Sequence, residues 1–121
     1  MNDTGTPTLR VRLYLGPTST LVILDSTAVA LVTITGGGCN WDYDGDFVVT
    51  ALGASGVVRG QRDRFNYNTF NGSTQNSFSF VPSNVTTDTT GSNVFNFTVQ
   101  WGAASASNTI TLENYELDFT Y

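Results

Sequence analysis

Apolar and polar residues alternate with period two over most of the chain, the pattern of strands that bury one face. Leu9, Val11, Leu13 and Leu15 fall on one side of the first run, with Arg10, Arg12 and Tyr14 opposite. Gly16-Pro17 closes it, because proline cannot donate to a ladder and glycine accepts turn geometry. Leu21–Leu24 and Leu31–Thr35 are short apolar runs separated by the small-residue stretch Asp25–Ala30, and the triplet Gly36–Gly38 breaks the pattern. Asn40–Leu52 predicts a longer strand, with Trp41, Tyr43, Phe47, Val49 and Ala51 on one face and Asp42, Asp44 and Asp46 on the other. Gly53–Gly56 predicts a tight hairpin into a strand over Val57–Tyr67. Asn68–Asn76 is loop-like with a turn at Asn71-Gly72. Phe78 and Phe80 mark a short strand, stopped by Pro82 and a threonine-rich linker through Asn93.

The last third alternates most regularly. Phe95, Phe97, Val99 and Trp101 form an inward row against Asn96, Thr98 and Gln100, and Gly102–Asn108 is a small-residue connection. The final run starts with Ile110 and Leu112, then changes phase to Tyr115, Leu117, Phe119 and Tyr121. A period-two strand changes phase only through an extra residue, so the spacing predicts a β-bulge near Glu113 and Asn114. About eight strands joined by turn-rich loops, with no amphipathic helix, predict an all-β fold: one antiparallel, jelly-roll-like β-sandwich domain over residues 1–121.

Composition narrows the chemistry. The chain carries ten acidic and five basic residues, the latter all arginine, and has no histidine. An acidic chain lacks the charge that nucleic-acid binding requires. The absence of histidine excludes Ser-His-Asp and Cys-His nucleophiles, a histidine general base and histidine metal sites. Cys39 is the only cysteine, so no intrachain disulfide is available, and the role of a small buried apolar side chain suits it better than reactivity. The first residues lack the basic start and apolar stretch of a signal peptide, and no apolar run approaches membrane-spanning length. The expectation is a soluble chain made in a reducing compartment, with no membrane partner. Four Asn-x-Ser/Thr sequons, at Asn2, Asn71, Asn84 and Asn96, are about what this Thr- and Ser-rich composition supplies by chance.

Asp42, Asp44 and Asp46 form the tightest acidic group, a partial set for calcium, which takes about six to eight oxygens. The EF-hand order fails, because its glycine and final glutamate positions hold Phe47 and Gly53. A solvated acidic strand face is the simpler expectation. Carboxyl pairs such as Glu113 with Glu116, or Asp44 with Asp46, could be imagined across a sugar, but same-face neighbours on any strand sit about 7 Å apart. Gly36–Gly38 lacks the helix and lysine of a phosphate loop. Arg59, Arg62 and Arg64, with Asp63 among them, form the basic cluster; strict alternation puts Arg62 and Arg64 on one face and Arg59 on the other, which splits it. Pairing of these arginines with aspartates is the expected outcome. Among the aromatics, Phe95, Phe97 and Trp101 follow the inward phase, whereas Tyr14, Tyr67 and Phe70 are expected to be exposed. A lectin-like role would run through Asn68–Asn76.

Three stretches carry a resemblance. Phe97–Leu112 (FTVQWGAASASNTITL) resembles the closing hairpin of small β-sandwich modules in tailed-bacteriophage virion proteins. Leu9–Gly16 (LRVRLYLG), following Asn2-Asp3-Thr4-Gly5, and Thr50–Gln61 (TALGASGVVRGQ) are similar to upstream strands of those modules, in the same order. The resemblance implies a jelly-roll-like part of a capsid decoration, tail or fibre head. Such a part would be trimeric, contact other virion proteins and sit on the virion surface after synthesis in the host cytoplasm. It supplies no set of functional residues: no catalytic, cofactor or metal residue is carried over. The expected function is non-enzymatic self-assembly and surface contact, without a cofactor. The competing class is a lectin-like or calcium-dependent module that binds a host-surface glycan or other ligand.

Overall fold

A computed structural model describes residues 1, 7–16, 21–32, 39–68 and 75–118. Among these there is no helix, and nine strand segments form two antiparallel sheets. The first sheet holds β1 (Thr8–Gly16), β2 (Leu21–Asp25), β3 (Val29–Ala30), β7 (Val81–Pro82) and β9 (Val94–Trp101). The second holds β4 (Trp41–Ala51), β5 (Gly56–Asn68), β6 (Gln75–Ser79) and β8 (Asn84–Thr87). The expected all-β antiparallel sandwich is the fold of this chain.

The alternating runs fold as strands because one row of each can be buried. Leu9, Val11 and Leu15 from β1 meet Val58, Phe65 and Tyr67 from β5 and Val85 from β8 in the core. In β2 the consecutive residues Ile23 and Leu24 are both fully buried, which strict alternation forbids. The β1–β2 register slips between Leu13 and Tyr14, where β2 carries one extra residue, and the bulge turns both side chains inward.

β5 is the spine of the second sheet. β4 covers one of its edges from Trp41↔Tyr67 to Ala51↔Val57. Its other edge is shared by β6 and β8, and the pairs Arg64↔Ser79 and Arg59↔Asn84 stand five residues apart on each strand. β6 and β8 are thus one strand in a single register. Between them the chain leaves β5 to pair with β2 through Leu24↔Pro82, and Ser83 donates to the Ile23 carbonyl at 3.1 Å. This excursion ties the two sheets together. Opposite it lies Gly60, where a Cβ would stand 2.9 Å from the Ile23 carbonyl oxygen and overlap the Leu24 side chain. Only glycine lets β2 approach β5 this closely.

Several expectations are corrected. The stretch after Pro82 is not a plain linker, because Val85 and Thr87 turn into the core and pull Asn84–Thr87 into β8. Pro82 itself belongs to a strand, at an edge position where its missing N–H is tolerated. The small-residue stretch supplies β3, Val29–Ala30 against Thr8 and Leu9, while Leu31 is buried outside any strand and Thr33–Thr35 of the expected run lie outside the described residues. No strand and no bulge form at Glu113–Asn114. Thr109 makes a single bridge, and the chain from Ile110 to Asp118 lies outside both sheets. The Gly36–Gly38 triplet, the Asn71-Gly72 turn, Phe70 and Phe119 to Tyr121 lie outside the described residues.

Candidate functional site

Two strands face each other across the open side of the sandwich, and their inner rows meet there. β4 supplies Trp41, Tyr43 and Phe47; β9 supplies Phe95 and Phe97. The ring of Trp41 stacks between Phe65 at 5.3 Å and Phe97 at 6.2 Å. Tyr43 packs on Phe97 at 4.9 Å and edge-on to Phe80 at 5.4 Å, and Phe47 meets Phe95 at 4.6 Å. Offset and edge-on pairs of this kind add roughly 0.5–1.5 kcal/mol beyond the area they bury. Trp41 finds a partner for its indole N–H in the Thr111 carbonyl, at 3.1 Å.

Inside this seam lies an unusual polar pair. The Tyr43 hydroxyl donates to Oδ1 of Asp63, while Oδ2 of Asp63 is buried without a hydrogen-bond partner. Both groups sit over Gly45, whose missing side chain leaves the space they occupy. Burial, together with the carboxylates of Asp46 and Asp44, pushes the Asp63 carboxyl up to about 7, against the partial relief of the Tyr43 hydrogen bond. Burial and Asp63 push the Tyr43 phenol well above its ordinary value. Asp63 shares the inward phase of Phe65 and Tyr67, so its position is legible in the spacing. The exposed arginines on either side of it carry the dominant charge signal of this stretch.

The outer face of the same strands carries the charges. Asn66 donates to Asp42 at 2.8 Å, Arg64 stands opposite Asp44 in the ladder, and Arg62 pairs with Asp46 at 3.0 Å. The three aspartates therefore face a row of donors on β5 and do not converge on one point. Among the described residues no group of three acidic or cysteine side chains is placed to hold a metal ion. The basic cluster is not split as strict alternation predicts. β5 carries an extra residue between Gly60 and Asp63, so Gly56, Val58 and Gly60 point inward before the bulge, and Phe65 and Tyr67 after it. Arg59, Arg62 and Arg64 are consequently all exposed. On the other sheet, Arg10 grips both oxygens of Asp25, with Arg12 at 3.6 Å, and the Arg10 hydrogen bond holds the Asp25 carboxyl below its usual range.

A cleft of about 230 Å³ opens at one end of the seam, with Leu15, Phe47, Val49, Val58 and Phe95 as its floor. It is smaller than the roughly 300–1,000 Å³ of most small-molecule sites. Its polar rim is already engaged. Thr87 donates to Asn93 Oδ1 at 3.1 Å, and Asn93 donates to the Asp88 and Gly91 carbonyls at 2.9 and 3.2 Å. Thr89 accepts from the Gly53 N–H at 2.9 Å. These groups fasten the turn after β8 to the β4–β5 hairpin and leave few donors for a ligand.

The aromatics divide differently from the sequence expectation in two cases. Phe95, Phe97 and Trp101 pack against the core as expected. Tyr67, expected to be exposed, is buried at 4% because it continues the inward row of Phe65, and its hydroxyl accepts from the Val32 N–H at 3.3 Å. Tyr14 is half-buried. Residues 69–74 of the supposed lectin loop lie outside the described residues. Cys39 is half-buried against the core, and its backbone exchanges hydrogen bonds with Met1 at 2.7 and 2.8 Å. Glu113 and Glu116 are exposed, on the segment outside the sheets. No family model matches the chain, and no curated protein or solved structure is significantly similar to it.

Proposed function

We propose that this chain is a non-enzymatic structural module of a virion, of the tailed-phage kind. It acts by self-assembly and surface contact as a capsid decoration, tail or fibre-head part. The observation that carries the assembly reading is large apolar side chains held in water by a single copy: Tyr115 is 86% exposed, Leu52 84%, and Leu112 52%. Two of these lie on the segment that strand periodicity assigns to a sheet and that one copy leaves unpaired. The polar groups support the same reading: the acidic face is matched by donors across the ladder, and the cleft rim is spent on the fold. The virion setting rests on the resemblance of Leu9–Gly16, Thr50–Gln61 and Phe97–Leu112 to phage modules.

Light scattering at micromolar concentration tests the first half of this. The expected mass is a stable multiple of 13.0 kDa, with a trimer favoured; a strict monomer counts against the proposal. Electron microscopy of the parent particle with this chain labelled tests the second, and a label off the particle surface would count against a virion role.

A further inference from the structure

Among the described residues, two features of one copy complement each other. The first is the segment Thr109–Asp118. Ile110 packs against the core and the Thr111 carbonyl accepts from Trp41, but beyond them no residue to Asp118 lies in a sheet. Its alternation sets Tyr115 and Leu117, 86% and 48% exposed, on one side and Glu116 and Asp118 on the other. The second is the outer edge of β9. This strand pairs from Val94 to Trp101 with β1, and no other strand pairs with it among the described residues. Its sequence VFNFTVQW has no charge, proline or glycine to blunt the edge, although exposed edges are usually guarded by such residues.

Charge decides between β9 and β4, the edge that faces it across the open side of the sandwich. β4 presents Asp42, Asp44 and Asp46 in its outward row, and an acidic strand laid beside it would set carboxylate against carboxylate. Beside β9, Glu116 and Asp118 meet the uncharged Asn96 and Thr98, with Arg12 of β1 in the next row across from Thr98. Tyr115 and Leu117 then extend the apolar row of Phe95 and Phe97. Six residues, Glu113–Asp118, span about 20 Å as a strand, enough to cover most of this edge.

We propose that Glu113–Asp118 is an exchange arm that adds as a strand to the β9 edge of a second copy of this chain. The inference rests on the self-assembly reading above and names the surfaces that would meet. Each copy gives one arm and accepts one, a head-to-tail contact that closes into a ring when the rotation between copies allows. The segment is held to its own copy at Ile110 and Thr111, so the arm leaves from beside Trp41 toward its neighbour.

The test uses light scattering on the full chain, a chain ending at Leu112, and full-length Asn96→Glu, which places a carboxylate on the accepting edge. The full chain is expected to assemble, and each variant alone to fall to the mass of one chain with its thermal unfolding midpoint retained. Mixed in equal amounts, the armless chain has an intact edge and Asn96→Glu has an intact arm, so the pair should form a one-to-one heterodimer. An armless chain that still assembles would overturn the arm while leaving the self-assembly reading standing, as would a mixture that stays monomeric. A monomeric full chain would sink both.

Discussion

The Tyr43 hydroxyl donates its hydrogen bond to Asp63 in the apolar seam between β4 and β9, and the second oxygen of that carboxyl has no partner. The folded state therefore favours neutral Asp63, with its carboxyl raised from 3.8 to about 7. A raised folded value means that the stability linked to this group is fully present below about pH 4 and is lost as pH climbs through about 7. Urea titrations should show the unfolding midpoint falling across that window. Asp63→Asn should flatten the slope and raise stability at pH 8. An unchanged slope in the variant would refute this assignment.

Asp25 works in the opposite sense. Arg10, Arg12 and the Thr27 N–H hold its carboxyl below the ordinary 3.8, so its contribution is present above that value and lost as pH falls further. Acid titration of Asp25→Asn should show a shallower loss of stability below about pH 4 than the parent chain. Circular dichroism over that limb is the measurement.

Gly60 should tolerate no side chain. A methyl group there meets the Ile23 carbonyl and Leu24 where β2 crosses β5. Gly60→Ala is expected to cost about 1–3 kcal/mol, as overpacking of a close crossing does. Chemical denaturation measures it.

Phe65 is the centre of the aromatic stack, fully buried, with Phe78 at 5.0 Å and Trp41 at 5.3 Å. Phe65→Ala should cost about 3–5 kcal/mol. It should also change the fluorescence of Trp41, which loses the ring on one face.

Calcium should be inert. Asp42, Asp44 and Asp46 look across the ladder to Asn66, Arg64 and Arg62 and share no point where they could surround an ion. Titration calorimetry is expected to give only heats of dilution, for the parent chain and for Asp44→Asn alike. Saturable heat abolished by that substitution would restore the calcium-dependent reading.

Alternation placed the long strands to within a residue or two, because β1, β4, β5 and β9 each turn alternate apolar residues toward the core over most of their length. It failed where a partner decides the outcome. Nothing between Pro82 and Asn93 announces β8, whose Val85 and Thr87 turn inward only because β5 offers them an edge. The bulge in β5 comes just after Gly60, where β2 crosses, and without it the arginines count onto opposite faces. Tyr67 is simpler: it stands at the end of the run beside a polar loop, but its phase with Phe65 decides burial. Asp63 stood in that same phase, and the structure adds only that its neighbours leave one oxygen unanswered. The last run, Ile110–Leu117, has the periodicity of a strand, but periodicity does not say which sheet, or whose, receives it.

The departure of the chain between Ser79 and Asn84 acts as a gauge of length. β6 and β8 share one register against β5 because the stretch between them matches, residue for residue, the stretch of β5 that it skips. One residue added or removed there would leave β6 in place and rotate all of β8, sending Val85 and Thr87 to solvent and their exposed neighbours into the core. Two residues would restore the faces. The short detour that laces the sheets therefore also sets which side of β8 is inside, and variation in its length should come in pairs.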